Sequence, residues 1–204
     1  MTEPAGRAGC AVCLRPQSAC ICRWVTPVAH QAEVLILQHP MEAGHAKNTG
    51  RLLHLSLPRS RMLVGEAFDE AGLCAATGEM PAYTVLLYPT TAQDDEAPAL
   101  HLEQLKDTSR VRLVVLDATW RKSRKMLHLN PLLRRLPRLS LEDVPASGYL
   151  IRKAHKPGQL STLEATCAAL AQLEGDAARY QPLLQAFDGF VAQQLALQHC
   201  FQSA

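Results

Sequence analysis

Five short apolar runs, each of strand length, constrain this chain more than any other feature. They lie at Glu33 to Gln38, Met62 to Gly65, Thr84 to Tyr88, Val111 to Leu116 and, more weakly, Leu136 to Leu141. Each is rich in leucine or β-branched residues, and several are separated by segments of helical periodicity. Strands buried on both faces read as continuous apolar runs, so the expected fold class is α/β: a mostly parallel sheet flanked by helices. With 204 residues, 48% of them apolar, the chain can bury one substantial core.

The helical stretches are expected at Thr49 to Leu57, Trp120 to Leu129, Thr162 to Leu173 and Pro182 to Leu197. The last opens on a proline and repeats apolar residues at Leu183, Phe187, Val191 and Leu195, which gives it one core-facing side. Gly189 inside it costs about 1 kcal/mol relative to alanine.

A parallel sheet collects its ligands at the carboxyl ends of its strands, so the residues just after each run are the candidates for a site. They are His39-Pro40 followed by Asn48-Thr49-Gly50, then Leu87-Tyr88-Pro89, and Asp117-Ala118-Thr119-Trp120. Ser161-Thr162-Leu163-Glu164 opens a later helix. Ser161 and Glu164 have the spacing of a capping box, and Asp117 or Thr119 is suited to cap the helix that follows them. A carboxylate, a large aromatic and a basic helix meet at the end of one run, and this coincidence favours a site there. On a helical wheel Trp120, Ser123, Met126 and Leu127 share one side, while Arg121, Arg124, Lys125 and His128 share the other.

The formal net charge of +2 is too small to imply a polyanionic partner, but its distribution is uneven. From Arg110 to Arg138 there are nine Lys/Arg against the single acid Asp117. Dinucleotide-binding, P-loop and zinc-protease motifs are absent, as is an evident nucleophile with a paired base.

Cys10-x2-Cys13-x6-Cys20-x-Cys22 places four thiols within 13 residues, on a segment too short to build a core. Structural Zn(II) held by four thiolates would supply the missing folding energy; an iron-sulfur cluster and unligated thiols are the alternatives. Cys74, Cys167 and Cys200 read as small core residues. The cysteine usage fits a reducing compartment, and with no apolar stretch long enough to span a membrane a cytoplasmic location is expected.

In this order, the paired cysteines, His39-Pro40 with Asn48-Thr49-Gly50, Leu87-Tyr88-Pro89, Asp117-x-Thr119-Trp120 and Ser161 to Ala165 make the chain similar to DTW-domain proteins, the tRNA-uridine aminocarboxypropyltransferases, over roughly residues 10 to 195. The resemblance implies a fold like that of the SPOUT methyltransferases, with a trefoil knot as one possibility. Residues 1–30 would form a zinc-binding segment and 31–204 the catalytic domain. It also implies S-adenosylmethionine as co-substrate and transfer of its 3-amino-3-carboxypropyl group to N3 of a uridine in the tRNA variable loop, releasing methylthioadenosine. Asp117, Thr119 and Trp120 would then be catalytic, with Asp117 as general base. His39, Pro40, Asn48, Thr49, Leu87, Pro89, Trp120, Ser161, Thr162 and Glu164 would surround the cofactor. Arg121, Arg124, Lys125, Arg134, Arg135 and Arg152 are the candidates for tRNA phosphates. A SPOUT-like RNA methyltransferase and a non-catalytic zinc-containing RNA-binding protein are the competing readings.

Overall fold

The computed structural model describes residues 9–69, 71–73, 83–90, 97–142 and 160–202, with side chains as far as Gln198. Five strands, β1 (Glu33–Gln38), β2 (Ser60–Val64), β3 (Tyr83–Leu87), β4 (Val111–Asp117) and β5 (Arg138–Leu139), form one sheet in the order β2-β1-β4-β3-β5. Every pairing is parallel, as the continuous apolar runs require. The fifth strand is two residues long where six were expected, because Arg138 and Leu139 alone pair with β3.

The described residues place these α-helices beside the sheet: α1 (Pro40–Ala43), α2 (Gly50–Ser56), α3 (Leu102–Leu105), α4 (Trp120–Leu129), α5 (Pro131–Arg134), α6 (Thr162–Glu174) and α7 (Gln181–Gln202). Alternate residues of the strands feed two apolar layers. Val34, Ile36, Leu113 and Val115 join Leu52, Leu163, Leu170, Leu183, Phe187 and Phe190 on the side of α2, α6 and α7. Leu35, Leu37, Leu86 and Val114 join Met126 and Leu133 on the side of α4 and α5. The knot allowed by the resemblance turns on the path from β5 to α6, where residues 143–159 lie outside the described residues.

The cysteine-rich segment shares the first layer through Cys13, Ile21 and Val28. Gly189 finds its reason here: a Cβ at that position would overlap the Trp24 ring, so the bare backbone of α7 is what lets the indole lie against it. Trp24 also donates its indole N–H to Gln193 Oε1, and Gln193 in turn donates to the Cys20 carbonyl. No described helix is long and apolar enough to cross a membrane.

The sheet order creates a switch point. From β1 the chain runs outward through α1 and α2 to β2; from its neighbour β4 it runs the other way through α4 and α5 to β5. The crevice between the carboxyl ends of β1 and β4 is where such sheets bind ligands.

Candidate active site at the carboxyl ends of β1 and β4

Parallel register sets Gln38 directly beside Asp117, the last residues of their strands. Both side chains therefore point to the face carrying α2 and α6. Asp117 is 2% exposed, and its carboxylate is held from three directions. Oδ2 accepts from Gln38 Nε2 at 2.7 Å and from Asn48 Nδ2 at 2.6 Å, and Oδ1 accepts from Thr162 Oγ1 at 2.7 Å. Gln38 Nε2 also donates to Asn48 Oδ1 at 3.1 Å, which closes a triangle of side chains. The negative charge lies at the N-terminus of α6, where the helix dipole favours it.

Gly50, the first residue of α2, is required by this arrangement. A Cβ there would come within 2.8 Å of Asp117 Cγ, inside any real contact distance. Thr49 Oγ1 accepts from the Leu163 N–H at 3.4 Å, so the starts of α2 and α6 are joined a second time. Ser161 and Glu164 complete the capping box that their spacing predicts: Glu164 N–H donates to Ser161 Oγ, and Ser161 N–H donates to Glu164 Oε2.

His39 is buried after β1 and caps α1: Nδ1 accepts from Met41 N–H at 3.1 Å, so Nε2 carries the hydrogen it gives to Glu66 at 3.0 Å. Lys125 also reaches Glu66, and together Lys125 and His39 hold that carboxyl below its ordinary range. Pro40 occupies the first position of α1.

Trp120 turns the opposite way from Asp117. The wheel places it on the packed side of α4 with Ser123 and Met126, which are buried, yet Trp120 is 49% exposed and its ring meets Tyr88 edge-on at 5.6 Å. Thr119 occupies the N-cap position of α4 without a side-chain capping bond. Leu87 and Pro89 flank Tyr88 at the end of β3.

The cationic stretch separates into two groups. Arg121, Arg124, Lys125 and Arg135 are exposed, Lys125 being paired with Glu66, and Arg134 is half-buried. Arg112 is buried inside β4 against Glu33, Arg138 donates to the Leu133 carbonyl, and Lys122 reaches the buried Glu42 at 2.7 Å. Arg152, Cys74 and the Cys200 side chain lie outside the described residues.

All four thiols of the N-terminal cluster lie within 4.8 Å of one another, with Cys10 and Cys22 Sγ at 3.5 Å and Cys13 and Cys20 Sγ at 3.7 Å. Zinc–sulfur bonds of about 2.3 Å in a tetrahedron need sulfurs about 3.8 Å apart, so the set fits a four-thiolate zinc site. Backbone N–H groups of Cys13 and Val12 hold the Cys10 thiol down at about 6, while burial pushes Cys22 up to about 12. Cys167 is a core residue, as its isolation predicts, with burial raising its thiol to about 12.

A sequence profile of the DTW domain matches residues 7–195. This chain belongs to the DTW-domain family. It is 31% identical over 202 residues to tRNA-uridine aminocarboxypropyltransferase 2 of Mus musculus, covering 93% of this chain and 64% of that protein. It is 33% identical over 178 residues to the protein of the same name in Drosophila melanogaster, covering 84% and 68%. To tRNA-uridine aminocarboxypropyltransferase A of Arabidopsis thaliana it is 28% identical over 193 residues, covering 82% and 73%. The chain thus spans just under two thirds of the mouse relative's length, and no solved structure matches it. In this DTW-domain protein the family motif splits in two, its carboxylate turned into the fold and its tryptophan turned out.

Sequence reasoning missed Gln38, Glu66 and Glu42, and it carried Gly50 only as part of the Asn48-Thr49-Gly50 motif, without its closeness to Asp117. Gln38 carried a signal, as the polar last residue of an otherwise apolar run. Glu66 and Glu42 carried none, because their partners are distant in sequence.

Proposed function

We propose that this DTW-domain protein is a tRNA-uridine aminocarboxypropyltransferase. It moves the 3-amino-3-carboxypropyl group of S-adenosylmethionine to N3 of a uridine in the tRNA variable loop and releases methylthioadenosine. One observation carries the reading: the intact Asp117-Ala-Thr-Trp120 motif stands at the switch point of the sheet, in a chain whose relatives bear that name. A cytoplasmic location accords with this activity.

In the reaction a bond forms between uridine N3 and the γ-carbon of the donor, the carbon–sulfur bond breaks with its electron pair going to sulfur, and the N3 proton must leave. Asp117 is our base. Its Oδ1 accepts one hydrogen bond from Thr162, and a carboxylate oxygen can accept two. The second acceptor direction is what a uridine imide would use. Gln38 and Asn48 hold the other oxygen and so fix the aim of the first, the kind of alignment that lowers a barrier without new charges.

The exposed face of Trp120 suits either the adenine or a sulfonium, whose positive charge is drawn to a π surface. His39, Pro40, Asn48, Thr49, Leu87, Pro89 and the Ser161, Thr162, Glu164 turn shape the cofactor crevice, Asn48 and Thr162 through Asp117, Thr49 through the Leu163 N–H, and Ser161 and Glu164 through their capping bonds. Arg121, Arg124 and Arg135 engage tRNA phosphates, with Lys125, Arg134 and Arg152 as further contributors. Zn(II) at Cys10, Cys13, Cys20 and Cys22 would be structural.

Incubation of purified protein with unmodified tRNA and S-adenosylmethionine, followed by mass analysis of nucleosides and by-products, tests this. Aminocarboxypropyluridine with methylthioadenosine is the expected result. Methylated uridine with S-adenosylhomocysteine, or no product from any tRNA pool, would overturn it.

A further inference from the structure

Asn48 is held on Asp117 by a contact that comes from outside the sheet. Arg15 follows the first cysteine pair, and its backbone carbonyl accepts the Cys10 N–H at 2.7 Å, which makes it part of the knuckle itself. Its guanidinium reaches across to the loop before α2, donating through Nη1 to the Ala46 carbonyl at 2.6 Å and through Nη2 to the Asn48 carbonyl at 2.8 Å. The same group lies 5.3 Å over the Phe190 ring of α7. A second strut runs the other way: Arg51 Nη2 donates to the Val12 carbonyl between the first two cysteines at 2.6 Å. The loop that presents Asn48 is thus tied at both ends to a segment whose own shape depends on its four thiols.

We propose that Arg15 is a positioning residue, through which metal binding at the cysteine knuckle sets the placement of Asn48 and hence the aim of the Asp117 carboxylate. With zinc bound, the knuckle carbonyl and the Arg15 side chain are held in one arrangement, and Asn48 Nδ2 meets Asp117 Oδ2. When the metal leaves, the Cys10–Arg15 turn loses the thiolate bonds that close it, although Ile21 and Trp24 stay docked on the core, and the loop loses its anchor. The consequence for catalysis rests on Asp117 being the reacting centre; the coupling itself does not.

The test is amide hydrogen exchange on the whole protein without tRNA or S-adenosylmethionine, alongside metal content. Arg15→Ala and Arg15→Lys are compared with wild type, the lysine keeping the charge but unable to span two carbonyls. The expected result is one Zn(II) per chain in both variants and at least tenfold faster exchange at residues 46–53. Stripping zinc from wild type should loosen the same residues, and stripping it from Arg15→Ala should add little, since the two changes break one connection. Unchanged exchange in metal-loaded Arg15→Ala overturns the proposal. So does a further full increase on stripping that variant, and so does loss of zinc from Arg15→Lys. A wild-type protein with this exchange pattern but no transfer to any tRNA overturns the functional reading alone.

Discussion

Asn48 donates its side-chain amide to Asp117 Oδ2 at 2.6 Å, across 69 residues of sequence, and Gln38 donates to the same oxygen from the adjacent strand. The carboxylate is at once the proposed base and the keystone between β1, the α2 loop and α6. The two roles separate on substitution. Asp117→Asn keeps one oxygen for Gln38 and Asn48 and turns an amide toward the Thr162 hydroxyl, so the fold and the zinc content should survive while transfer falls by at least two orders of magnitude. Asp117→Ala takes the shared acceptor from the buried Gln38 and Asn48 amides and from the half-buried Thr162 hydroxyl, and should cost on the order of 3 kcal/mol in denaturant unfolding. Near-wild-type turnover in Asp117→Asn would remove Asp117 as the base.

Gly50→Ala tests the close approach. The added methyl would press on the Asp117 carboxylate, so either the start of α2 or the β4 end must shift. Overpacking of this kind costs about 1–3 kcal/mol, and a shift of the aligned carboxylate should lower kcat at least tenfold. A variant with unaltered melting temperature and unaltered kcat would show that the crevice has room to spare.

Leu14 is the one non-glycine residue among those described with a left-handed backbone, at φ 61°. It sits in the turn just after Cys13, and its side chain is exposed, so glycine at this position removes a cost of about 1–2 kcal/mol without removing packing. Leu14→Gly should therefore hold zinc more tightly in a chelator competition. Weaker retention would mean that the restricted leucine backbone helps more in the metal-free state than it costs in the folded one.

Stability should decline as the pH falls through the histidine range. Burial lowers both His30 and His54 from the ordinary 6.5, and His30 is committed as a neutral ring, with Nδ1 donating to the Ala32 carbonyl and Nε2 accepting the Arg59 N–H. The unfolded chain then binds more protons than the native one below about 6.5, so the contribution is present above that pH and is lost as pH falls toward the depressed folded values. Urea midpoints measured from pH 8 to pH 5 should drop below about pH 6.5; a flat profile across that window would contradict the assignment.

The basic stretch predicts two unlike outcomes. Arg121→Ala with Arg124→Ala removes exposed cations and should weaken tRNA binding while reducing its salt slope by about 2, with little change in melting temperature. Lys122→Ala deprives buried Glu42 of its ammonium partner and should cost up to about 3 kcal/mol, with the salt slope unaltered. An unchanged slope in the double variant would place the tRNA on another face.

The sheet, the parallel arrangement and the strand ends that carry the site are legible in the chain because they rest on local periodicity. Glu33 to Gln38 and Val111 to Leu116 are apolar without alternation, and no other placement buries both of their faces. The capping box at Ser161 and Glu164 is legible for the same reason, since its partners are three residues apart. The four-thiolate cluster is legible from spacing alone.

What only the tertiary structure decided is direction and reach. A helical wheel assigns Trp120 to the packed side of α4, but at the first turn of the helix it meets the Tyr88 ring edge-on and stays half in solvent. Nine basic residues look like one cationic surface in sequence, yet Arg112 and Arg138 are turned inward and Lys122 is held by Glu42, because strand pairing and helix packing set which acceptors come within a side chain's length. Gln38 meets Asp117 through the β1–β4 register, and Arg15 meets Asn48 through the docking of the knuckle on α2 and α7. Such contacts join residues tens of positions apart, and local pattern carries no information about distances that only the packed chain defines.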